Sequence, residues 1–253
     1  MRTFKQFAYG LFYLAILGAI FYWLYSPLLK PASSCSNGVQ DTGEQGIDCG
    51  GVCPNACATS QLAAIIAGQP MVFHPTPSSI SVMVQIQNPN QTFSASRFYY
   101  KFTLLDASGN PVPGGEINGE SFVYASEIKY IAEFNKPFAS SSNIVAADFS
   151  VTGQPDWVSS SVFNKPDLAL QNSSTSISNS EIDVTGSIIN NDNVSVSNVD
   201  IFAIIYSKLG QPAGISKTEL SGIMPGQQQS FSIAHPLLGN IDTSATKIYL
   251  YGY

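Results

Sequence analysis

Two stretches of the chain, SISVMVQIQNPNQTFSASRFYYKFTLLDASGNPV (Ser79 to Val112) and EIDVTGSIINNDNVSVSNVDIFAIIYSKLGQPAG (Glu181 to Gly214), follow one pattern. Each opens on spaced apolar residues, Ile80, Val82, Val84 and Ile86 in the first and Ile182, Val184 and Ile188 in the second. Each breaks at a polar cluster, NPNQ or NNDN, and resumes in a second apolar run. In that run Phe98, Tyr100, Phe102 and Leu104 share one face, as do Val199, Ile201, Ala203 and Ile205, because strand side chains alternate. The turns that follow, DASGNPV and SKLGQPA, both set a glycine near a proline, the chemistry of a tight reversal. A duplicated unit of this kind predicts two hairpin-rich β halves.

Further strands are expected at Phe122 to Tyr124, Ile128 to Phe134, Val145 to Val151, Phe231 to Ala234 and Lys247 to Tyr253. Short strands with turn signals every 8 to 12 residues or so, and no convincing amphipathic helix, give an all-β class. The expected architecture is two tandem immunoglobulin-like β-sandwich domains, 61–158 and 159–253, each near the common domain size. Trp157 and Phe163, in the proline-containing connection between them, are expected to pack at the junction.

Ahead of the repeat, Phe7 to Leu29 is a run of 23 residues with no Asp, Glu, Lys or Arg. A bilayer core takes about 20 predominantly apolar helical residues, and Tyr9, Tyr22, Trp23 and Tyr25 lie towards the ends, where aromatic rings favour the headgroup region. Residues 1–30 therefore read as a cytoplasmic stub and a signal anchor, with Arg2 and Lys5 favouring an inside N-terminus over Lys30. A cleaved signal peptide is the rival, although a secretory apolar core is usually about 7 to 15 residues long. Lipidation at Cys35 would want a large aliphatic residue where Ala32 stands.

All four cysteines, Cys35, Cys49, Cys53 and Cys57, fall in the next segment, 31–60. Outside the cytoplasm they would oxidise to two disulfides and staple a short neck, with three pairings open. Zinc is disfavoured because Cys49, Cys53 and Cys57 recur at intervals of four and His74 and His235 are remote; a redox centre is disfavoured because no C-x-x-C occurs. Asp41, Glu44 and Asp48 bring three carboxylates into the same glycine-rich loop, the donor type that calcium takes. Their spacing lacks the alternate-position register of an EF-hand, so solvated acids are the ordinary reading and no other cofactor is expected.

The strand and turn pattern of the repeat, with GIMPGQQQSFSI (Gly222 to Ile233) in the second copy, resembles FxLYD-type domains, immunoglobulin-like modules of prokaryotic envelope and surface proteins. The first copy reads GESFVYASEIKYIAEF at that place, without the Pro-Gly. The C-x-N-G-x-x-D-x-G-E-x-G-x-D-C-G-G-x-C segment resembles small cysteine-rich modules found just outside the membrane in such proteins. The resemblance implies a fold and a surface setting and carries no catalytic residues.

Chemistry of other kinds finds little support in the residues. A net charge of −6 with only eleven unclustered Lys and Arg argues against nucleic acid as a partner. No G-x-S-x-G, H-E-x-x-H or G-x-x-x-x-G-K-[ST] occurs, and Asp106, Glu116, Glu120, Asp148, Asp183 and Asp242 are scattered, so no enzyme is expected. Tyr99, Lys101 and Tyr130 are placed on outward faces, and Tyr249, Tyr251 and Tyr253 alternate along one side of the last strand as a candidate surface for a glycan or protein, with core packing as the plainer alternative. Asn90, Asn172 and Asn193 begin N-x-S/T acceptor triplets. The expected protein is a membrane-anchored, non-catalytic surface protein with binding or structural work. The alternative is an accessory subunit of an envelope assembly, its helix contacting partners through small residues such as Gly10, Ala15, Gly18 and Ala19.

Overall fold

The computed structural model describes residues 2–25, 35–44, 46–49, 52–53, 62–138, 143–178 and 180–253; Cys57 and the end of the charge-free run, Ser26 to Leu29, lie outside this set. The described residues form, in order, α1 (Arg2–Tyr25), β1 (Ile66–Ala67), β2 (Met71–Thr76), β3 (Ser79–Gln87), β4 (Phe93–Leu105), β5 (Pro111–Val123), β6 (Ile128–Pro137), β7 (Ala146–Ser159), β8 (Leu168–Ile177), β9 (Glu181–Asn190), β10 (Val196–Ser207), β11 (Pro212–Ile223), β12 (Gln228–Pro236) and β13 (Ile241–Gly252). The chain divides into two compact units, Met1–Ser60 and Gln61–Tyr253.

In the first unit, α1 has 24 residues and, at about 1.5 Å per residue, a length of about 36 Å. Its side chains from Phe12 to Tyr22 are exposed on every side, Leu14, Leu17, Ile20 and Phe21 among them. No helix of the described residues is long and apolar enough to cross a membrane. Beyond α1, Cys35 and Cys53 are joined by a disulfide with a Cα–Cα distance of 5.6 Å, and Cys49 is also disulfide-bonded.

The second unit is all-β, and its antiparallel sheets repeat one topology. In the first half β3 is flanked by β6 on one edge and by β1 and β2 on the other, while β4 lies between β5 and β7. In the second half β9 lies between β8 and β12, and β10 between β11 and β13. Strand for strand, β2 to β7 correspond to β8 to β13. The two sheets of the first half close on Ile80, Val82, Val84 and Ile86 from β3 and on Phe98, Tyr100, Phe102 and Leu104 from β4. Those of the second close on Val184 and Ile188 from β9 and on Val199, Ile201 and Ala203 from β10. These are the faces expected from alternation, and the layered arrangement is that of a β-sandwich.

The duplication extends to individual polar groups. Asn88 and Asn190 are fully buried at the ends of β3 and β9. Asn88 Nδ2 donates to the carbonyls of Phe93 and Tyr124 at 2.8 and 3.0 Å, and Asn190 Nδ2 to those of Val194 and Ile223 at the same distances. Their Oδ1 atoms accept the backbone N–H of Asn90 and Asp192. The turn that reads MPGQ in the second half reads YASE in the first. Glu127 Oε2 accepts the Tyr124 N–H as Gln227 Oε1 accepts that of Met224. Ser126 takes a φ of 57° where Gly226 takes 71°. The missing Pro-Gly of the first copy therefore changes the residues and keeps the turn.

Candidate functional site

What the repeat pattern alone did not place is the contact between the halves. β10 is buried on both faces from Ile201 to Ile205, as is β3 from Ile80 to Val84, so each has a covered outer face as well as a core face. Phe73, Met71, Met83, Tyr130, Ala132 and Phe134 of the first half meet Phe202, Ile204, Tyr206, Ile215, Tyr249 and Tyr251 of the second in one apolar cluster. Phe202 stacks near-parallel to Tyr130 at 6.1 Å and edge-on to Phe134 at 5.6 Å. Hydrogen bonds also cross between the halves: the Tyr124 hydroxyl donates to the Gly252 carbonyl at 2.7 Å, and the Tyr130 N–H to the Tyr251 hydroxyl at 2.9 Å. The second matters for β6, an edge strand whose outward N–H would otherwise lack a strand partner. The signal was present in the sequence as unbroken apolar runs, IFAIIY in β10 and the shorter VMV in β3, which mark strands covered on both sides.

Beside this contact, the edges of β5 and β6 and the sheet of β10 leave a cleft of about 530 Å³. Its lining mixes aromatic rings (Phe122, Tyr130 and Phe202) with charges of both signs (Arg97, Glu120, Lys129, Glu133, Asp200 and Lys217). Most of these charges are paired. The Arg97 guanidinium donates from Nε and Nη2 to Asp156 Oδ2 at 3.0 and 2.8 Å, which holds its pKa up. Glu133 accepts from the Tyr100 hydroxyl at 2.9 Å and pairs with Lys136, and Lys217 lies 3.5 Å from Asp200.

Lys129 is the unusual member. It stands opposite Ile86 in the β3–β6 register and so points inward, 4% exposed. Its Nζ donates to the Phe122 carbonyl at 3.0 Å and lies 3.2 Å from the Phe122 ring centroid and 4.9 Å from that of Tyr251. Burial pushes its pKa down to about 7, against the upward pull of Glu127 and Asp200. Nothing in the sequence separates such a lysine from the solvent-facing lysines that commonly guard edge strands.

The tyrosines proposed from the last strand separate on inspection. Tyr251 is 6% exposed and pinned beneath β6, and Tyr249 packs on Tyr130 at 4.9 Å, so these two belong to the contact between halves; Tyr253 lies against Phe122 of the first half at 5.2 Å and is still 44% exposed. Burial raises the pKa of Tyr251 and of Tyr124, which keeps both phenols protonated as donors or acceptors in that contact. Tyr130, expected outward, does face out of its own half but is covered by the other; Tyr99 is exposed. Phe163 packs on Phe122 and Tyr124 at the junction, whereas Trp157 lies in β7 opposite Ala95 and serves the first core.

The neck acids have partners inside their own loop. Asp48, at φ 54°, accepts the N–H groups of Asn37 and Gly38 at 2.9 and 2.7 Å, and Asp41 Oδ2 accepts from Asn37 Nδ2 at 2.9 Å. Glu44 is buried; its Oε2 accepts the N–H of Asp41 and of Asp48 at 2.9 and 3.2 Å, and its Oε1 lies 3.1 Å from Cys53 Sγ. That sulfur is half of a disulfide and has no proton to give. Glu44, Cys35 and Cys53 cluster as metal donors do, but both sulfurs are already bonded to each other. Each of the three carboxylates thus has a role in holding the loop shut.

Both histidines meet backbone carbonyls. His74 Nε2 is 3.0 Å from the Ile144 carbonyl, and buried His235 donates from Nδ1 to the Pro236 carbonyl at 2.7 Å, its pKa lowered by burial. No family model matches the chain, and comparison with curated proteins returns no match.

Proposed function

We propose that this chain is a membrane-anchored, non-catalytic binding protein of the extracytoplasmic side, in which 1–30 anchors, the disulfide-closed neck spaces, and Gln61–Tyr253 presents a ligand cleft. The observation that carries the binding reading is the cleft between the two halves. Its walls come from both copies of the repeat, it mixes aromatic faces with fixed charges as recognition sites do, and its volume survives beside a tightly packed aromatic contact. The anchor reading is supported by the charge-free run Phe7 to Leu29, which continues past Tyr25, and by the exposed apolar side chains of α1. The topological repeat supports a relation to FxLYD-type immunoglobulin-like domains, with the two copies joined face to face.

The test is the fate of the full chain in cells. After alkaline extraction it is expected in the membrane pellet, and protease added to intact cells is expected to remove Gln61–Tyr253. A chain recovered in the soluble fraction, or one digested only after lysis, would defeat the reading. The exposed apolar girth of α1 also suits a helix partner, as in an accessory subunit of an envelope assembly; replacing Met1–Lys30 by an unrelated anchor would then release co-purifying membrane proteins while leaving ligand binding in the cleft intact.

A further inference from the structure

The three acceptor triplets, identical in sequence logic, differ in three dimensions. Asn90 is tied down: its Nδ2 donates to the Ala63 carbonyl and to Asn88 Oδ1 at 2.8 and 2.9 Å, while its Oδ1 accepts the Ala63 N–H at 2.9 Å. Freeing that amide would cost three hydrogen bonds, one of them to the buried Asn88. Asn172 is exposed but sits in β8 at a register shift, with φ 51°, and the hydroxyl of its triplet, Ser174, bonds Thr185 of β9 at 3.0 Å. An enzyme that must bend the triplet into its own site would have to peel β8 from the sheet.

Asn193 carries neither restraint. It lies in the turn between β9 and β10, outside both strands, with Asn193, Val194 and Ser195 all exposed. Among the described residues its side chain makes no hydrogen bond, and the Ser195 hydroxyl has only the weak acceptor Met224 Sδ at 3.3 Å. The turn also leaves two apolar side chains in water, Val194 at 61% and Met224 at 59% exposure.

We propose that Asn193 is the site at which an N-linked saccharide is attached to this protein, a reading that rests on the extracytoplasmic placement of Gln61–Tyr253. The donor class is a saccharide linked through its anomeric carbon to a lipid phosphate, and the catalyst an oligosaccharyltransferase. The Asn193 Nδ2 forms a bond to the anomeric carbon as the carbon–oxygen bond to phosphate breaks. The lipid phosphate leaves with the electron pair, and one amide proton passes to a base of the transferase, so nothing is oxidised or reduced. A saccharide there would cover Val194 and Met224, and the buried Asn190, whose Nδ2 donates to the Val194 and Ile223 carbonyls at 2.8 and 3.0 Å, holds the turn's frame while its tip is modified.

The experiment is intact and peptide-level mass spectrometry of the full chain purified from the membranes of its own cells, wild type beside Asn193→Gln, Ser195→Ala and Asn90→Gln. The expected result is a saccharide mass on the peptide containing Asn193, lost in N193Q and in S195A and kept in N90Q, with Asn90 bare throughout. The two surface variants test the same site by different atoms, and unchanged circular dichroism shows that they fold. A bare Asn193, or a saccharide on Asn90, overturns the proposal. Protease added to the same intact cells separates the causes: a bare chain that is digested from outside sinks the modification alone, whereas a bare chain that is protected sinks the extracytoplasmic reading with it.

Discussion

Asn88 and Asn190 show how one residue type holds a turn that no strand ladder reaches. Each side chain is fully buried, donates to two carbonyls at the strand ends and turns that close the sandwich, and accepts a backbone N–H. Replacing either by alanine strands two carbonyls, and a buried unsatisfied group costs about 1–3 kcal/mol. Asn88→Ala and Asn190→Ala should therefore each lower the urea-unfolding free energy by at least that much; a loss under half a kcal/mol, on the order of an exposed substitution, would refute the role. At Lys129 the effect is one of pH. Its pKa is about 7 folded and about 10.4 unfolded, so between these values the unfolded chain holds more protons and stability rises with pH. The charges that face it are Glu127 from the β5–β6 turn, Asp200 from β10, and Lys165 and Lys217. The urea midpoint is expected to climb from pH 7 to pH 9 in the wild type and to flatten in Lys129→Met; a slope unchanged by that substitution would locate the titration elsewhere.

At the scale of the element, the paired turns Tyr124–Glu127 and Met224–Gln227 separate what a residue must be from what it happens to be. Position three needs a left-handed backbone, which glycine adopts freely and serine at a cost. A β-branched residue suffers most there, so Gly226→Val should destabilise by about 1–2 kcal/mol, read from thermal unfolding, and a neutral result would mean that the turn relaxes. The strand β6 shows a second device. An edge strand invites pairing with other chains, and inward-pointing charges discourage it; Lys129 and Glu133 are such charges, met by the Phe122 carbonyl and the Tyr100 hydroxyl. In the neck, Asp48 spans the loop by two N–H acceptances while the disulfide spans it covalently. Its roles as acceptor and as a left-handed residue were not legible from an acid in a glycine-rich run, which looks the same whether it meets solvent, a cation or its own backbone.

For the molecule as a whole, the aromatic contact predicts that the two halves unfold together. Phe202 is buried by residues of the first half, and truncating a buried phenylalanine costs about 3–5 kcal/mol. Phe202→Ala should lower the stability of Gln61–Tyr253 by that order within a single calorimetric transition; two separate transitions in the wild type would show the halves to be independent. The sequence by itself determined the duplication, the β class, and which face of each repeated strand enters a core. Those follow from local alternation and turn chemistry, which neighbouring residues settle among themselves. Only the tertiary structure decided that the outer faces of β3 and β10 cover each other, that Tyr249 and Tyr251 serve this contact, and that Lys129 turns inward beside a cleft. Alternation tells a strand that it has two faces. What lies against the second one depends on residues a hundred positions away, through an interface whose apolar area no single segment encodes.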